Sequence, residues 1–186
     1  MIIAIIDACV LYSAPLRDFL LNLSDLGLIQ VKWTDRIQNE WTRNLLKKRF
    51  DLTDKRLAKT INYMNSAFPD ANIVDFDKII HQLNLPYPND RHVLAAAIKS
   101  RANYIITFNL KDFPSEYLND YNIEAIHPDT FVYDLIKTES EKVIEALYNQ
   151  VKRLKNPPLS VNEVLSHLKN CGLRKSVIIL EKSLKT

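Results

Sequence analysis

Short apolar runs alternate with amphipathic segments over residues 1–130 of the chain. Ile2–Ile6 is a continuous apolar run, as expected for a strand that is buried on both faces. Further strands are predicted at residues 28–33, 72–74, 104–108 and 123–126. Helices are predicted at residues 15–26, 34–49, 54–68, 77–83 and 91–101. Strands that alternate with helices indicate an α/β fold with a central parallel sheet.

The strand signals stop near Pro128, and only helical patterns follow. Helices are predicted at residues 129–137, 139–155, 160–170 and 173–184. Ser160 and Glu163 have the spacing of a capping box at the start of the third of these helices, and Gly172 separates the last two. We therefore predict an α/β domain over residues 1–132 and a helical extension over residues 133–186.

The composition excludes several classes of protein. The chain holds only two glycines, Gly27 and Gly172, whereas dinucleotide fingerprints and P-loops need at least two in one tight turn. Cys9 and Cys171 form no C-x-x-C pair, so neither a disulfide scaffold nor a zinc ribbon is expected, and a reducing cytoplasm fits best. No apolar run approaches the roughly 20 residues of a membrane span, so we expect no membrane association.

Several acidic side chains are predicted at one edge of the sheet, because ligands of open parallel sheets bind outside the carboxyl ends of the strands. Asp7 ends the first strand, and Asp112 follows the strand at residues 104–108. Asp90 opens a helix, and Glu40 lies within another. Converging carboxylates repel one another unless a cation neutralises them, and oxygen ligands favour Mg²⁺ or Mn²⁺. Such a site suits metal-assisted phosphodiester cleavage.

Each acid also has a simpler interpretation when it is taken alone. Asp90 has the position of a helix cap, Glu40 that of a surface residue on an amphipathic helix, and Asp112 that of an ordinary turn residue. Asp7 is harder to explain in this way, because a carboxylate directly after five apolar strand residues is costly unless it has a partner.

Three segments together resemble PIN-domain nucleases, in particular the VapC-like toxins of bacterial toxin–antitoxin pairs. They are Ile5-Ile6-Asp-Ala-Cys-Val-Leu11, Asn89-Asp-Arg-His-Val-Leu-Ala-Ala-Ala97 and Tyr104-Ile-Ile-Thr-Phe-Asn-Leu-Lys-Asp-Phe113. The resemblance covers about residues 1–130. It implies a three-layer α/β/α fold and a divalent-metal ribonuclease whose site a small antitoxin blocks, and it leaves open whether the protein forms a homodimer. The helical extension is similar to that of longer PIN proteins.

The resemblance assigns roles to individual residues. Asp7 matches the first family acid, Glu40 the second and Asp90 the third. The fourth position is ambiguous, because Asn109 stands where many relatives have Asp, and Asp112 follows three residues later. We expect the catalytic acids and metal ligands to be Asp7, Glu40, Asp90 and Asp112, with Asn109 as a further ligand. Thr107 would support the site by a hydrogen bond to water or phosphate, unless it is simply a core residue.

Basic residues concentrate near the end of the chain. Residues 1–150 carry 17 Lys and Arg against 20 Asp and Glu, and residues 151–186 carry eight against two. This asymmetry indicates a polyanionic partner, with solvated helix faces as the competing interpretation. Lys152 and Arg153 are therefore candidates for RNA binding. Arg43 and Lys47 are others, because they share a helix face with Glu40. A chain truncated near residue 138 is expected to keep its α/β body.

Other classes fit less well. A phosphohydrolase of the haloacid dehalogenase pattern needs a second Asp two residues after the first, where this chain has Cys9. A receiver domain would need adjacent acids, and the four histidines lack the spacing of a zinc hydrolase. The remaining alternative is an RNA- or partner-binding module with a degenerate PIN site, which the neutral Asn109 suggests.

Overall fold

A computed structural model describes residues 1–184 of the chain. The strands of its sheet are β1 (Ile2–Ile6), β2 (Ile29–Lys32), β3 (Tyr104–Ile106) and β4 (Glu124–Ile126). The first seven α-helices are α1 (Ala8–Leu11), α2 (Ala14–Asp25), α3 (Asp35–Leu46), α4 (Asp54–Ala67), α5 (Asp77–Ile80), α6 (Arg91–Ser100) and α7 (Ser115–Leu118). The later helices are α8 (Pro128–Arg153), α9 (Val161–Asn170) and α10 (Arg174–Ser183).

The four strands are parallel and lie in the order β2-β1-β3-β4. The chain leaves β1 through α2 to reach β2, and it later returns through α6 to β3 on the other side of β1. Right-handed crossovers in opposite directions place α2 and α6 on opposite faces of the sheet. The predicted α/β/α fold with a central parallel sheet is thereby confirmed. Because the strand order reverses between β1 and β3, their carboxyl ends flank the crevice where such folds bind ligands.

The predicted local signals account for the helices that flank β2. Pro15 lies in the first turn of α2, and Gly27 follows its end with a φ of +72°, which a glycine adopts without strain. Thr34 caps α3, since its hydroxyl accepts a hydrogen bond from the Ile37 amide at 3.1 Å. The buried apolar stripe of α2 consists of Leu16, Phe19, Leu20 and Leu23.

Some short elements differ from the prediction. The strand predicted at residues 72–74 is reduced to a parallel bridge between Asn72 and Trp33. It ends there because Asp75 turns the chain with a φ of +58°. The helix predicted at residues 77–83 stops at Ile80. The prediction lacks α1 and α7, since a helix of four residues is too short to show an apolar period.

The extension begins as a helix that bends once. α8 contains one non-helical residue, Glu139 (φ −138°, ψ 42°), which matches the break predicted between residues 137 and 139. The capping box of α9 is confirmed, because Ser160 and Glu163 each bond the other's backbone amide. The proposed division after residue 132 lies inside α8, and the two-domain organisation stays a prediction.

The extension packs on α2. Gln150 Nε2 donates a hydrogen bond to the carbonyl of Pro15 at 2.9 Å, and Leu147, Leu168 and Val177 are buried in the same apolar cluster as α2. Truncation near residue 138 would therefore expose the outer face of α2. The expectation that the α/β body survives this truncation conflicts with the packing, and we expect loss of stability instead.

At 26 residues, α8 has the length to cross a membrane, but charged side chains occur throughout it. Among residues 1–184, no helix is both long enough and apolar enough to be a membrane span.

Candidate functional site

Asp7 and Thr107 lie side by side at the carboxyl ends of β1 and β3. The Asp7 amide donates a hydrogen bond to the Ile106 carbonyl at 3.1 Å, which continues the strand pairing. Thr107 Oγ1 donates to Asp7 Oδ2 at 2.7 Å, and the Ala8 amide donates to Asp7 Oδ1 at 2.6 Å. Asp7 is 7% exposed and Thr107 is fully buried. Thr107 is thus a buried residue directly after β3, and its hydroxyl orients the Asp7 carboxylate.

The Asp7 carboxylate is held in an unfavourable electrostatic position. Burial raises the pKa of Asp7, because the charged form loses its hydration, and repulsion from Glu40 adds a smaller rise. Hydrogen bonds from Thr107, Cys9 and Ala8 lower that pKa in part. Cys9 Sγ lies 3.1 Å from Oδ2, and burial raises the pKa of its thiol to about 12, so it acts as a neutral donor. A cation beside Asp7 would relieve the cost of its charge.

Glu40 and Asp90 approach this edge of the sheet from two helices. Glu40 Oε2 lies 3.7 Å from His92 Nε2, and the His92 imidazole lowers the pKa of Glu40. Asp90 precedes α6, but its side chain makes no capping hydrogen bond within the described part of the chain. Burial raises the pKa of Asp90 to about 6. Repulsion contributes as well, and its sources are, in decreasing order, Asp7, Asp112 and Glu40. Asp90 is therefore close enough to each of the other three predicted acids to be repelled by it.

Asp112 ends a 3₁₀ turn, Leu110–Asp112, that follows β3. Its Oδ1 atom is buried, and no donor among residues 1–184 forms a hydrogen bond with it. A buried oxygen without a partner costs about 1–3 kcal/mol, which a turn residue would avoid by turning to solvent. Asn109 is exposed at the start of the turn, and its backbone amide donates a hydrogen bond to Thr107 Oγ1 at 3.0 Å. Because Asp112 also contributes to the raised pKa of Asp90, the structure places these two acids near each other.

The chemistry of these side chains fits Mg²⁺ or Mn²⁺, since both ions prefer oxygen ligands and both would neutralise the repulsion. The unpartnered Asp112 Oδ1 is an available ligand atom. Within residues 1–184, however, no three Asp, Glu, His or Cys side chains are gathered closely enough to enclose an ion. The oxygen ligands are present, but among the described residues no three of them lie close enough together to enclose an ion. Metal binding therefore stays a proposal.

A cavity of about 510 Å³ opens beside Glu40 and Asp90. The α3 residues Arg36 and Arg43 both line it, four residues before and three residues after Glu40. Both guanidinium groups lower the pKa of Glu40. Arg43 was predicted from the sequence, whereas Arg36 was missed, although its i, i+4 spacing to Glu40 is visible in the sequence. The other lining residues are Asn39, Asn89 and His92.

The remaining basic candidates lie elsewhere. Lys47 follows the last residue of α3 and is exposed. Arg153 forms an ion pair with Asp25 at 2.7 Å, and its neighbour Lys152 is exposed near the end of α8. Asp25 ends α2 shortly before β2 begins, which places it at the edge of the sheet opposite Asp7. Among the four candidates for RNA binding, the structure places Arg43 on the cavity wall and Lys152 and Arg153 away from the acids.

Comparison with known proteins identifies the family. Residues 4–111 match the model of the PIN domain, and residues 128–182 match the model described as the VapC50 C-terminal domain. Over 93 residues the chain is 38% identical to the protein named "Putative ribonuclease VapC50" of Mycobacterium tuberculosis. This alignment covers 50% of the chain and 54% of that protein, so the chain spans about half of its relative's length. No solved structure matches the chain. Because the PIN model covers more than half of its residues, the chain belongs to the PIN domain family.

Proposed function

We propose that the protein is a divalent-metal-dependent endoribonuclease that hydrolyses RNA phosphodiesters. The observation that carries the proposal is the placement of four acids near the crevice of a PIN domain, where Asp7 and Asp112 follow β1 and β3 and Glu40 and Asp90 line one cavity. The name of the mycobacterial relative, a ribonuclease, supports RNA as the substrate.

The four acids would hold Mg²⁺ or Mn²⁺, with Asn109 as a neutral further ligand. Asp7 is the anchor of this set, because Thr107 and Ala8 fix both of its carboxylate oxygens. When bound, the cation would offset charge on the phosphate and promote attack by water. Arg36 and Arg43 would bind phosphates on either side of the scissile bond, since their charges line the cavity beside Glu40.

Cleavage of RNA in the presence of added metal tests this proposal. We expect the full chain to cut RNA with Mn²⁺ or Mg²⁺ and to lose that activity when a chelator is added. The alternative is a binding module with a degenerate site, which Asn109 favours because it brings no charge. That alternative predicts RNA binding with no cleavage under any metal condition.

Asp112→Asn and Asn109→Asp distinguish the candidates for the fourth ligand. If Asp112 supplies charge, its Asn variant should bind Mn²⁺ at least tenfold more weakly, which is about 1.4 kcal/mol, and should cut RNA more slowly. Asn109→Asp should bind Mn²⁺ more tightly than the parent, because it adds a carboxylate at the same edge. Calorimetric titration of both variants beside the parent measures these differences. Parental affinity and activity in Asp112→Asn would leave Asn109 as the fourth ligand.

Arg43→Gln tests the contribution of the cavity to RNA binding. Each lost phosphate contact lowers the slope of log K against log salt by about 0.7 for single strands. We expect Arg43→Gln to reduce both affinity and slope, as measured by fluorescence anisotropy with Asp7→Asn as the background that prevents cleavage. Lys152→Gln is the matched control and should keep the parental slope. A reduced slope for Lys152→Gln together with the parental slope for Arg43→Gln would assign RNA binding to the extension.

We also propose that the protein is the toxin of a toxin–antitoxin pair, which the resemblance of the three segments in the first 130 residues supports. Expression of the full chain in a bacterial host should arrest growth. Co-expression of a small protein encoded beside it should restore growth. Arrest by Asp7→Asn as strong as by the parent would contradict a toxic activity that depends on cleavage.

A further inference from the structure

The turn between α9 and α10 lies against the edge of the sheet where the acids gather. Ser13 Oγ, shortly after α1, donates a hydrogen bond to Cys171 Sγ at 2.9 Å. The next residue of the turn, Gly172, meets the ring of Phe108, which follows β3 after Thr107. Two contacts thus join the extension to the segments that follow β1 and β3.

Gly172 has no room for a side chain. A Cβ atom at this position would lie 2.9 Å from Cε1 of Phe108, closer than Cβ atoms approach other atoms in proteins. The residue also has a φ of +105°, and its amide donates to the Lys169 carbonyl at 3.1 Å to close the end of α9. Backbone conformation and packing therefore both require glycine here.

The Phe108 ring is also confined on another side. It packs edge to face with the His127 ring, with centroids 5.1 Å apart and planes at 76°. His127 is itself fixed, because its Nδ1 atom accepts a hydrogen bond from the Asp129 amide at 3.1 Å. A group added at Gly172 would therefore push a ring that is already held in place.

The backbone of Phe108 belongs to the segment that orients Asp7. The Phe108 amide donates to Cys9 Sγ at 3.4 Å, and Cys9 Sγ in turn contacts Asp7 Oδ2. The adjacent Asn109 amide donates to Thr107 Oγ1, the atom that donates to the same carboxylate oxygen. A displacement of Phe108 would alter both donors that face Asp7 Oδ2.

We propose that Gly172 and Phe108 are positioning residues through which the helical extension holds the Asp7 carboxylate in its working orientation. The inference rests on the proposed nuclease function. The competing role for the same contact is stability alone. Because reacting groups misplaced by about 1 Å can lose about 100-fold in rate, a small shift at Phe108 is enough to be measured.

Gly172→Ala in the full chain tests the proposal, with Gly27→Ala as the matched control. Gly27 also has a positive φ, +72°, but nothing lies within 4 Å of the Cβ that the control adds. We expect Gly172→Ala to lower kcat at least about tenfold with KM within about twofold, and to speed hydrogen exchange of the Phe108 and Asn109 amides. Gly27→Ala should keep the parental kcat and exchange rates. The proposal would be overturned if Gly172→Ala kept the parental kcat and exchange rates, or if both variants lost kcat equally.

Phe108→Leu serves as a second variant if Gly172→Ala does not fold, and it should also lower kcat and speed exchange of the Asn109 amide. In the double variant the added methyl no longer meets a ring, so kcat should equal that of Phe108→Leu alone. If the losses in kcat of the two single variants simply add in the double variant, the contact between Gly172 and Phe108 is not the cause of the loss in Gly172→Ala. If the parent cuts no RNA, the proposed function fails, while the exchange rates still decide whether the extension holds this segment.

Discussion

Asp7→Asn should abolish metal-dependent RNA cleavage and leave the fold intact. The substitution removes a charge at nearly constant shape from the acid that Thr107 and Ala8 hold in place. A loss of at least about 100-fold in rate is expected, as for other single groups that act on charge at the reacting centre. The melting temperature at neutral pH should be equal to or higher than the parent's, because a buried carboxylate no longer has to carry its charge.

Cleavage of a labelled RNA with Mn²⁺ and a thermal melt of the same sample measure both effects. Asp134→Asn is the matched control, because Asp134 is an exposed carboxylate on α8 whose contact is an ion pair with Lys137 at 3.4 Å. It should match the parent in rate and melting temperature. Parental activity in Asp7→Asn would remove Asp7 from the proposed site, and inactivity with a much lower melting temperature would indicate a structural role.

Asp129→Ala should lower the free energy of unfolding by about 3 kcal/mol. Asp129 lies in the first turn of α8 and is 7% exposed. Its carboxylate accepts the Lys175 and Ser176 amides at 2.9 Å and the Ser176 hydroxyl at 2.8 Å. It therefore caps α10 from 46 residues away, and its removal leaves buried donors without a partner.

Urea unfolding of the full chain measures this loss, which corresponds to a decrease of about 10 °C in melting temperature. Asp129→Asn should lose less stability, because the side-chain amide oxygen can still accept a hydrogen bond from a backbone amide at the start of α10. Asp134→Ala changes an exposed carboxylate on the same helix and should stay within about 0.5 kcal/mol of the parent. A loss for Asp129→Ala as small as for Asp134→Ala would mean that other contacts hold α10 in place.

Local patterns were sufficient for the main elements of the fold. The five apolar residues before Asp7 predicted β1, and the spacing of Leu16, Phe19 and Leu23 predicted the buried face of α2. The first residue of each predicted segment, Thr34 or Ser160, supplied the cap of α3 or α9. Such signals depend on neighbours within one or two turns, so the sequence shows them directly. The prediction of a strand at residues 72–74 rested on only three residues and was largely wrong.

The candidate acids were visible for a different reason. In a parallel sheet, residues that follow the strands meet at one edge, so topology alone brings Asp7 and Asp112 to the same side. The repulsion that Asp7 and Asp112 both exert on Asp90 agrees with this expectation. The assignment of Glu40 and Asp90 to the site came from the family resemblance, because their helix positions alone fit a surface residue and a helix cap equally well. The metal and RNA roles of these residues stay predictions.

The sequence by itself determined the α/β alternation, the apolar faces, the helix caps and the order of the acids along the chain, since each depends on spacing between near neighbours. Only the tertiary structure decided which distant groups became partners. It paired Arg153 with Asp25 rather than with the acids, buried Asp112 Oδ1 without a donor, and set Gly172 against Phe108. These contacts join segments up to about 130 residues apart. They depend on how whole helices pack over the sheet, which no local period of the sequence encodes.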